Sequence, residues 1–110
     1  MDIKRVSQKF SCPITDTLST TCNGGGIPMV GWAGGVIYLP TGGDITTLTY
    51  YGAVEPGGTF VALHDSDGAA VTQTVSSAKI YELPSAIFGC GALKIVGDSD
   101  EDGAIVRMKG

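Results

Sequence analysis

The amino-acid sequence predicts an all-β domain: a single antiparallel β-sandwich of jelly-roll character, with about eight strands. Three observations predict it. From Gly57 to Gly110 each apolar run is cut by glycine, proline or an Asp-Gly pair, and none exceeds about eight residues, which is strand length rather than helix length. Seventeen glycines in 110 residues are roughly twice ordinary usage; they weaken helices and supply turns. Turn signals recur at the spacing expected of a sandwich or barrel. Jelly-roll and immunoglobulin-like strand orders both remain open at this level.

The first expected strand covers residues 3–10, with Val6, Gln8 and Phe10 on one face. Its lysines suit a sheet edge, where charge discourages stray pairing, and Pro13 closes it. Residues 11–28 form an irregular polar segment, rich in Ser and Thr and ending in Gly24-Gly25-Gly26. A loop of that length in a small domain is often functional or ordered by a partner. Residues 29–39 are apolar up to Pro40, and Gly34-Gly35 reads either as a tight hairpin turn or as a bulge in one bent strand.

Residues 45–51 make a Thr-rich strand, with Leu48 and Tyr50 on one face and Thr47, Thr49 and Tyr51 on the other. Residues 59–63 and 70–75 flank Asp65-Ser66-Asp67-Gly68 and are expected to pair as a hairpin. Residues 79–83 form the next strand. Residues 84–88 then suit one helical turn, opened by Pro84 and ended by Gly89. Strands over residues 93–96 and 104–108 complete the domain.

One domain is expected at this length, large enough to bury about 65% of its unfolded surface. The net charge is −4, and no basic patch is present to neutralise a run of phosphates, so nucleic acid is not an expected partner. Lys4, Arg5 and Lys9 form the one basic cluster. The N-terminus lacks the apolar stretch of a signal peptide, and no run approaches the ~18 apolar residues that span a bilayer. Synthesis in a cytoplasm without membrane insertion is the expectation, which is compatible with release by lysis, as virion components are released.

The strongest local motif is Asp98-Ser99-Asp100-Glu101-Asp102-Gly103. It matches the opening of a calcium loop, in which Asp98, Asp100 and Asp102 would supply oxygens. The glutamate that should close such a loop is replaced by Lys109, so a solvated turn is the plainer reading. Asp65-Ser66-Asp67-Gly68 is a shorter version. His64 is the sole histidine; beside Asp65 it suggests a proton-transfer pair, but strand neighbours point to opposite faces. Cys90 has no evident acid–base partner besides that histidine. Three cysteines without a Cys-x-x-Cys pair argue against a disulfide framework or a zinc site. Cys12 and Cys22 either bridge across a turn or pack as free thiols. The glycine clusters lack the Lys-Ser/Thr of a phosphate loop. No enzyme and no cofactor are expected, calcium aside.

Gly35-Val36-Ile37-Tyr38-Leu39-Pro40-Thr41-Gly42, Gly58-Thr59-Phe60-Val61-Ala62-Leu63 with its Asp-Gly turn, and Glu82-Leu83-Pro84-Ser85-Ala86-Ile87-Phe88 leading into Leu93-Lys94-Ile95-Val96 together resemble small β-sandwich accessory proteins of tailed-phage virions, of the head-decoration or cement type. The resemblance covers roughly residues 35–97 and is one of style. It implies a non-catalytic, often oligomeric protein that stabilises a shell by bridging neighbouring subunits, and it carries no specific functional residues.

The leading expectation is thus a structural interaction protein, a virion decoration or accessory subunit and a homo-oligomer, contacting partners through residues 11–28 and the edge at 4–10. Lys4, Arg5, Lys9, Phe10, Asn23 and Trp32 are its expected contact residues. The alternative is a carbohydrate-binding module in which Trp32, Tyr38, Tyr50 and Tyr51 stack on sugars beside a structural calcium.

Overall fold

Residues 7–110 are described by a computed structural model, and they form two antiparallel sheets packed face to face. The strands are β1 (Ser7–Ser11), β2 (Ile27–Pro28), β3 (Gly34–Leu39), β4 (Thr47–Ala53), β5 (Val61–Ala62), β6 (Thr72–Thr74), β7 (Lys79–Glu82), β8 (Ala92–Gly97) and β9 (Ile105–Lys109). The first sheet runs β1-β9-β3-β7. The second runs β2-β8-β4, with β5 and β6 end to end along the remaining edge of β4.

Counting β5 and β6 as one interrupted course, eight courses pair by a simple rule. The first lies beside the last (β1·β9), the second beside the second-last (β2·β8), the third beside β7, and β4 beside β5 and β6. This is a long antiparallel ribbon rolled up, and the contacts β9·β3 and β8·β4 close the roll. The strand order is that of a jelly roll.

Alternation within the strands builds the core. Leu48 and Tyr50 of β4, Leu93 and Ile95 of β8, Ile37 and Leu39 of β3 and Val106 and Met108 of β9 all face the space between the sheets and are buried. The turn after Pro84 is a 3-10 turn over Ser85–Gly89, one residue later than expected because the extended Pro84 (ψ 138°) caps it; it delivers Ile87 to the core.

Three expectations need correction. The hairpin expected of residues 59–63 and 70–75 forms only next to its turn. The Asp65 amide donates to the Ala69 carbonyl and the Val71 amide to the Leu63 carbonyl around the His64–Ala70 bridge, and beyond that each run bonds to β4. Between them residues 64–70 loop outward, held by Asp65 Oδ1, which accepts from the amides of Asp67 and Ala69. Gly34 and Gly35 are neither turn nor bulge; they pair in register with Lys109 and Met108. Gly35 faces inward, where a Cβ would stand 2.6 Å from the Arg107 carbonyl and 2.9 Å from Met108 Sδ.

The third correction concerns residues 11–28, which are committed to their own domain. Cys12, Ile14, Cys22 and Ile27 anchor this polar stretch in the core. Ile14 bridges Glu101 and Thr15 bridges Val96, a 3-10 turn covers Thr21–Gly24, and the Thr21 hydroxyl donates to the Ile95 carbonyl. The segment runs along the edge of β8 that β4 leaves free, and its Leu18 reaches the outer side of that strand. Lys94, which points outward from that strand, is consequently buried: its Nζ donates to the Leu18 carbonyl at 2.9 Å and sits 4.8 Å from the centre of the Phe60 ring. Gly26 makes the close approach possible; its φ is +78°, and a Cβ there would meet the Leu93 carbonyl at 2.7 Å. No helix among the described residues is long and apolar enough to cross a membrane.

Candidate interaction face

Among the described residues none covers the outer side of the first sheet. Register sets its side chains in rows that cross the strands. Lys9, Arg107, Val36 and Glu82 form one row, Ser11, Ile105, Tyr38 and Ile80 a second, and Ser7, Lys109 and Gly34 a third. The second row is largely apolar and exposed: Ile80 keeps 65% of its surface in solvent and Tyr38 38%. Both cationic rows lie to one side of it: the row of Lys9 and Arg107 is adjacent, and the row of Lys109 lies beyond that. Lys9, Arg107 and Lys109 are exposed there, Glu82 is the one acid in the three rows, and Arg107 donates to the Ser7 hydroxyl at 3.3 Å. In a chain of net charge −4 this is a local reversal of sign.

The face is not flat throughout. Gly34 points outward without a side chain, and a cleft of about 410 Å³ opens beside it. Its walls are Val36, Leu83, Phe88 and Met108 on the apolar side and Ser7, Glu82, Ser85, Arg107 and Lys109 on the polar side. An apolar body with an anionic group matches that lining.

Only part of the expected contact set meets here. Lys9 stands on the face. Lys4 and Arg5 lie outside the described residues. Phe10 points inward and meets Trp32 edge-on, with ring centres 6.2 Å apart and planes at 81°. Trp32 is half-buried and its Nε1–H donates to the Pro28 carbonyl at 3.1 Å, so the indole plugs a corner of the sandwich. Asn23 is exposed with φ 60° in the turn that packs on β8, on the opposite sheet. Tyr50 is fully buried and donates to Gln73 Oε1 at 2.8 Å, which removes it from any sugar-stacking surface.

Arg107, Lys109, Val36 and Ile80 were not among the contact residues expected from the sequence. The available signal was the run Val36-Ile37-Tyr38-Leu39, apolar on both strand faces although a two-sheet sandwich buries only one.

The three aspartates of the acidic loop do not converge on a cation. Among the described residues no group of three His, Cys, Asp or Glu side chains could hold a metal ion. Asp98 instead clamps the start of β4: its Oδ1 accepts from the amides of Thr46 at 2.8 Å and Thr47 at 3.3 Å, and its Oδ2 accepts from the Thr46 hydroxyl. The Thr46 hydroxyl and then the amides hold its carboxyl below the usual carboxylate range. Asp100 accepts from the Asp16 amide at 3.3 Å. His64 is exposed, with Nδ1 3.2 Å from the Ala62 carbonyl. Cys90 donates to the Ile87 carbonyl at 3.1 Å, and burial pushes its thiol up, opposite to what a nucleophile needs.

No family model matches the chain, and neither a curated protein nor a solved structure does.

Proposed function

We propose that the chain is a non-enzymatic interaction protein that docks on an acidic, apolar-studded protein surface through the outer face of the β1-β9-β3-β7 sheet. The observation that carries this reading is the asymmetry of the sandwich. In the second sheet residues 11–28 flank β8 and Lys94 is buried, and the exposed outward residues Thr47, Thr72 and Thr74 are small and polar, while the described part of the first sheet leaves Val36, Tyr38 and Ile80 in solvent among Lys9, Arg107 and Lys109. Exposed apolar side chains clustered beside charged ones are the anatomy of a recognition surface.

The resemblance to decoration-type virion proteins supplies the specific instance: an oligomeric accessory subunit that bridges neighbouring subunits of a shell. Jelly rolls serve both viral capsids and lectins, so the fold alone selects neither. The face favours protein over sugar, since Tyr38 is the one aromatic ring in its rows and Trp32 is turned into a corner.

Sedimentation velocity of the full chain, alone and mixed with assembled tailed-phage shells, tests the proposal. An oligomer or a shell-bound form is expected, and Ile80→Glu should weaken shell binding at least tenfold with the melting temperature unchanged. A monomer at high concentration with no affinity for a shell surface overturns it, as does full binding by the Ile80→Glu variant.

A further inference from the structure

The two cysteines of residues 11–28 meet inside the protein. Cys12 Sγ and Cys22 Sγ are 2.6 Å apart, and both residues are buried. Their backbones are adjacent too, since the Cys22 amide donates to the Pro13 carbonyl at 2.8 Å. A covalent S–S bond is about 2.05 Å long, so closure asks for a shift of roughly half an ångström and no rebuilding of the chain.

A second observation concerns the backbone. Cys22 has φ +53° and ψ +43°, the left-handed region in which a residue with a Cβ is strained and glycine or asparagine is at ease. Packing alone does not require a cysteine there. The conformation aims Sγ at Cys12 on one side and at β8 on the other, where the Ile95 amide donates to it at 3.4 Å.

Polarity around the pair points the same way. Cys12 retains its proton, and its hydrogen bond to Cys22 is the main cause; the same bond, together with the groups of Ile95 and Thr21 and the buried Lys94 ammonium, draws the Cys22 thiol down despite its burial. Of the two, Cys22 is the thiol drawn down, and Cys12, 2.6 Å away, is placed as its resolving partner.

We propose that Cys12 and Cys22 form a redox-active dithiol whose oxidation to a disulfide locks residues 11–28 in their place along the second sheet. The oxidant is a small-molecule disulfide. Cys22 as thiolate attacks one of its sulfurs, the small S–S bond breaks, and one small thiolate leaves and takes up a proton. Cys12 then loses its proton and attacks Cys22 Sγ in the mixed disulfide, expelling the second small thiolate, which is protonated in turn. Two protein thiols become one disulfide, and one small disulfide becomes two small thiols. Because both sulfurs are buried, the first attack requires local opening of the segment, which sets the rate. A chain made in a reducing compartment is stapled on reaching an oxidising one. The inference does not depend on the docking face.

The test uses the full chain with Cys90→Ser, to remove the third thiol. After incubation with excess oxidised glutathione, alkylation under unfolding conditions should find neither Cys12 nor Cys22 free. Peptide mapping should place both in one linked fragment, and dithiothreitol should restore both thiols. The oxidised form should melt higher than the reduced form by on the order of 10 °C. Both thiols remaining free, a stable glutathione adduct without closure, or a closed form that melts no higher each overturns the proposal. The same thiol count and melting comparison on the unsubstituted chain keeps the result independent of any folding defect caused by Cys90→Ser.

Discussion

Asp98 ties the acidic turn to the start of β4 with a single carboxylate, through the Thr46 and Thr47 amides and the Thr46 hydroxyl. Its folded-state pKa is depressed from an unfolded value near ~3.9. The sign follows: the stabilisation is complete above the unfolded value and disappears as pH falls through the lower, folded one. Asp98→Asn should therefore be less stable than the parent at neutral pH, and the difference should vanish below the usual carboxylate range. Urea midpoints for both proteins from pH 7 to pH 2 check this, and a constant gap across the series would exclude it. The motif was legible as an acidic turn, but the partner of its first aspartate was not, because Thr46 lies 52 positions away. The meeting of Cys12 with Cys22 was hidden for a related reason. Both bridge and packed thiols were compatible with their spacing, and only the fold of residues 11–28 brings the sulfurs together.

Adjacent glycines in β3 show how an element assigns opposite duties to neighbours. Gly35 faces the interior, where a Cβ would press on the Arg107 carbonyl, Met108 and Leu83; Gly34 faces solvent, where a Cβ would find Lys109 Cε at an ordinary 3.5 Å. Gly35→Ala should thus cost about 1–3 kcal/mol through overpacking against backbone, while Gly34→Ala should be neutral or slightly stabilising, since a strand gains from losing glycine's freedom. Chemical denaturation of the two variants decides it, and equal effects would refute the inward and outward assignment. Regular strands such as β4 were legible because alternation and burial agree in them. The turn of the hairpin over residues 59–75 was legible, but its short extent was not, because local turn chemistry cannot reveal that a third strand, β4, claims both arms. Residues 11–28 were misread because Cys12, Ile14, Cys22 and Ile27 are too irregularly spaced to register as either period, yet together they pin the segment to the core.

At the scale of the whole molecule, rolling one ribbon into two sheets leaves an uneven distribution of cover and charge. Residues 11–28 bury Lys94 on the second sheet, while Lys9, Arg107 and Lys109 remain in solvent on the first. Most of the acids, including Asp44, Glu55, Asp65, Asp67 and the turn from Asp98 to Asp102, stand in loops between strands. A partner approaching the open sheet therefore meets positive charge beside an apolar row, although the molecule as a whole is negative. Attraction of this kind is screened over about 8–10 Å at physiological salt and acts mainly on the rate of encounter, whereas the apolar row holds the complex once formed. The two contributions can be separated. Arg107→Glu with Lys109→Glu should slow association with an acidic partner at least tenfold and abolish its salt dependence, with a smaller change in dissociation. Asp67→Lys, on the outward loop along the other sheet, should leave both rates within twofold of the parent and serves as the control for net charge. Stopped-flow or surface-based kinetics at two ionic strengths measures each. If the control accelerates binding as much as the face variant retards it, net charge and not the open sheet governs recognition, and the assignment of the face falls.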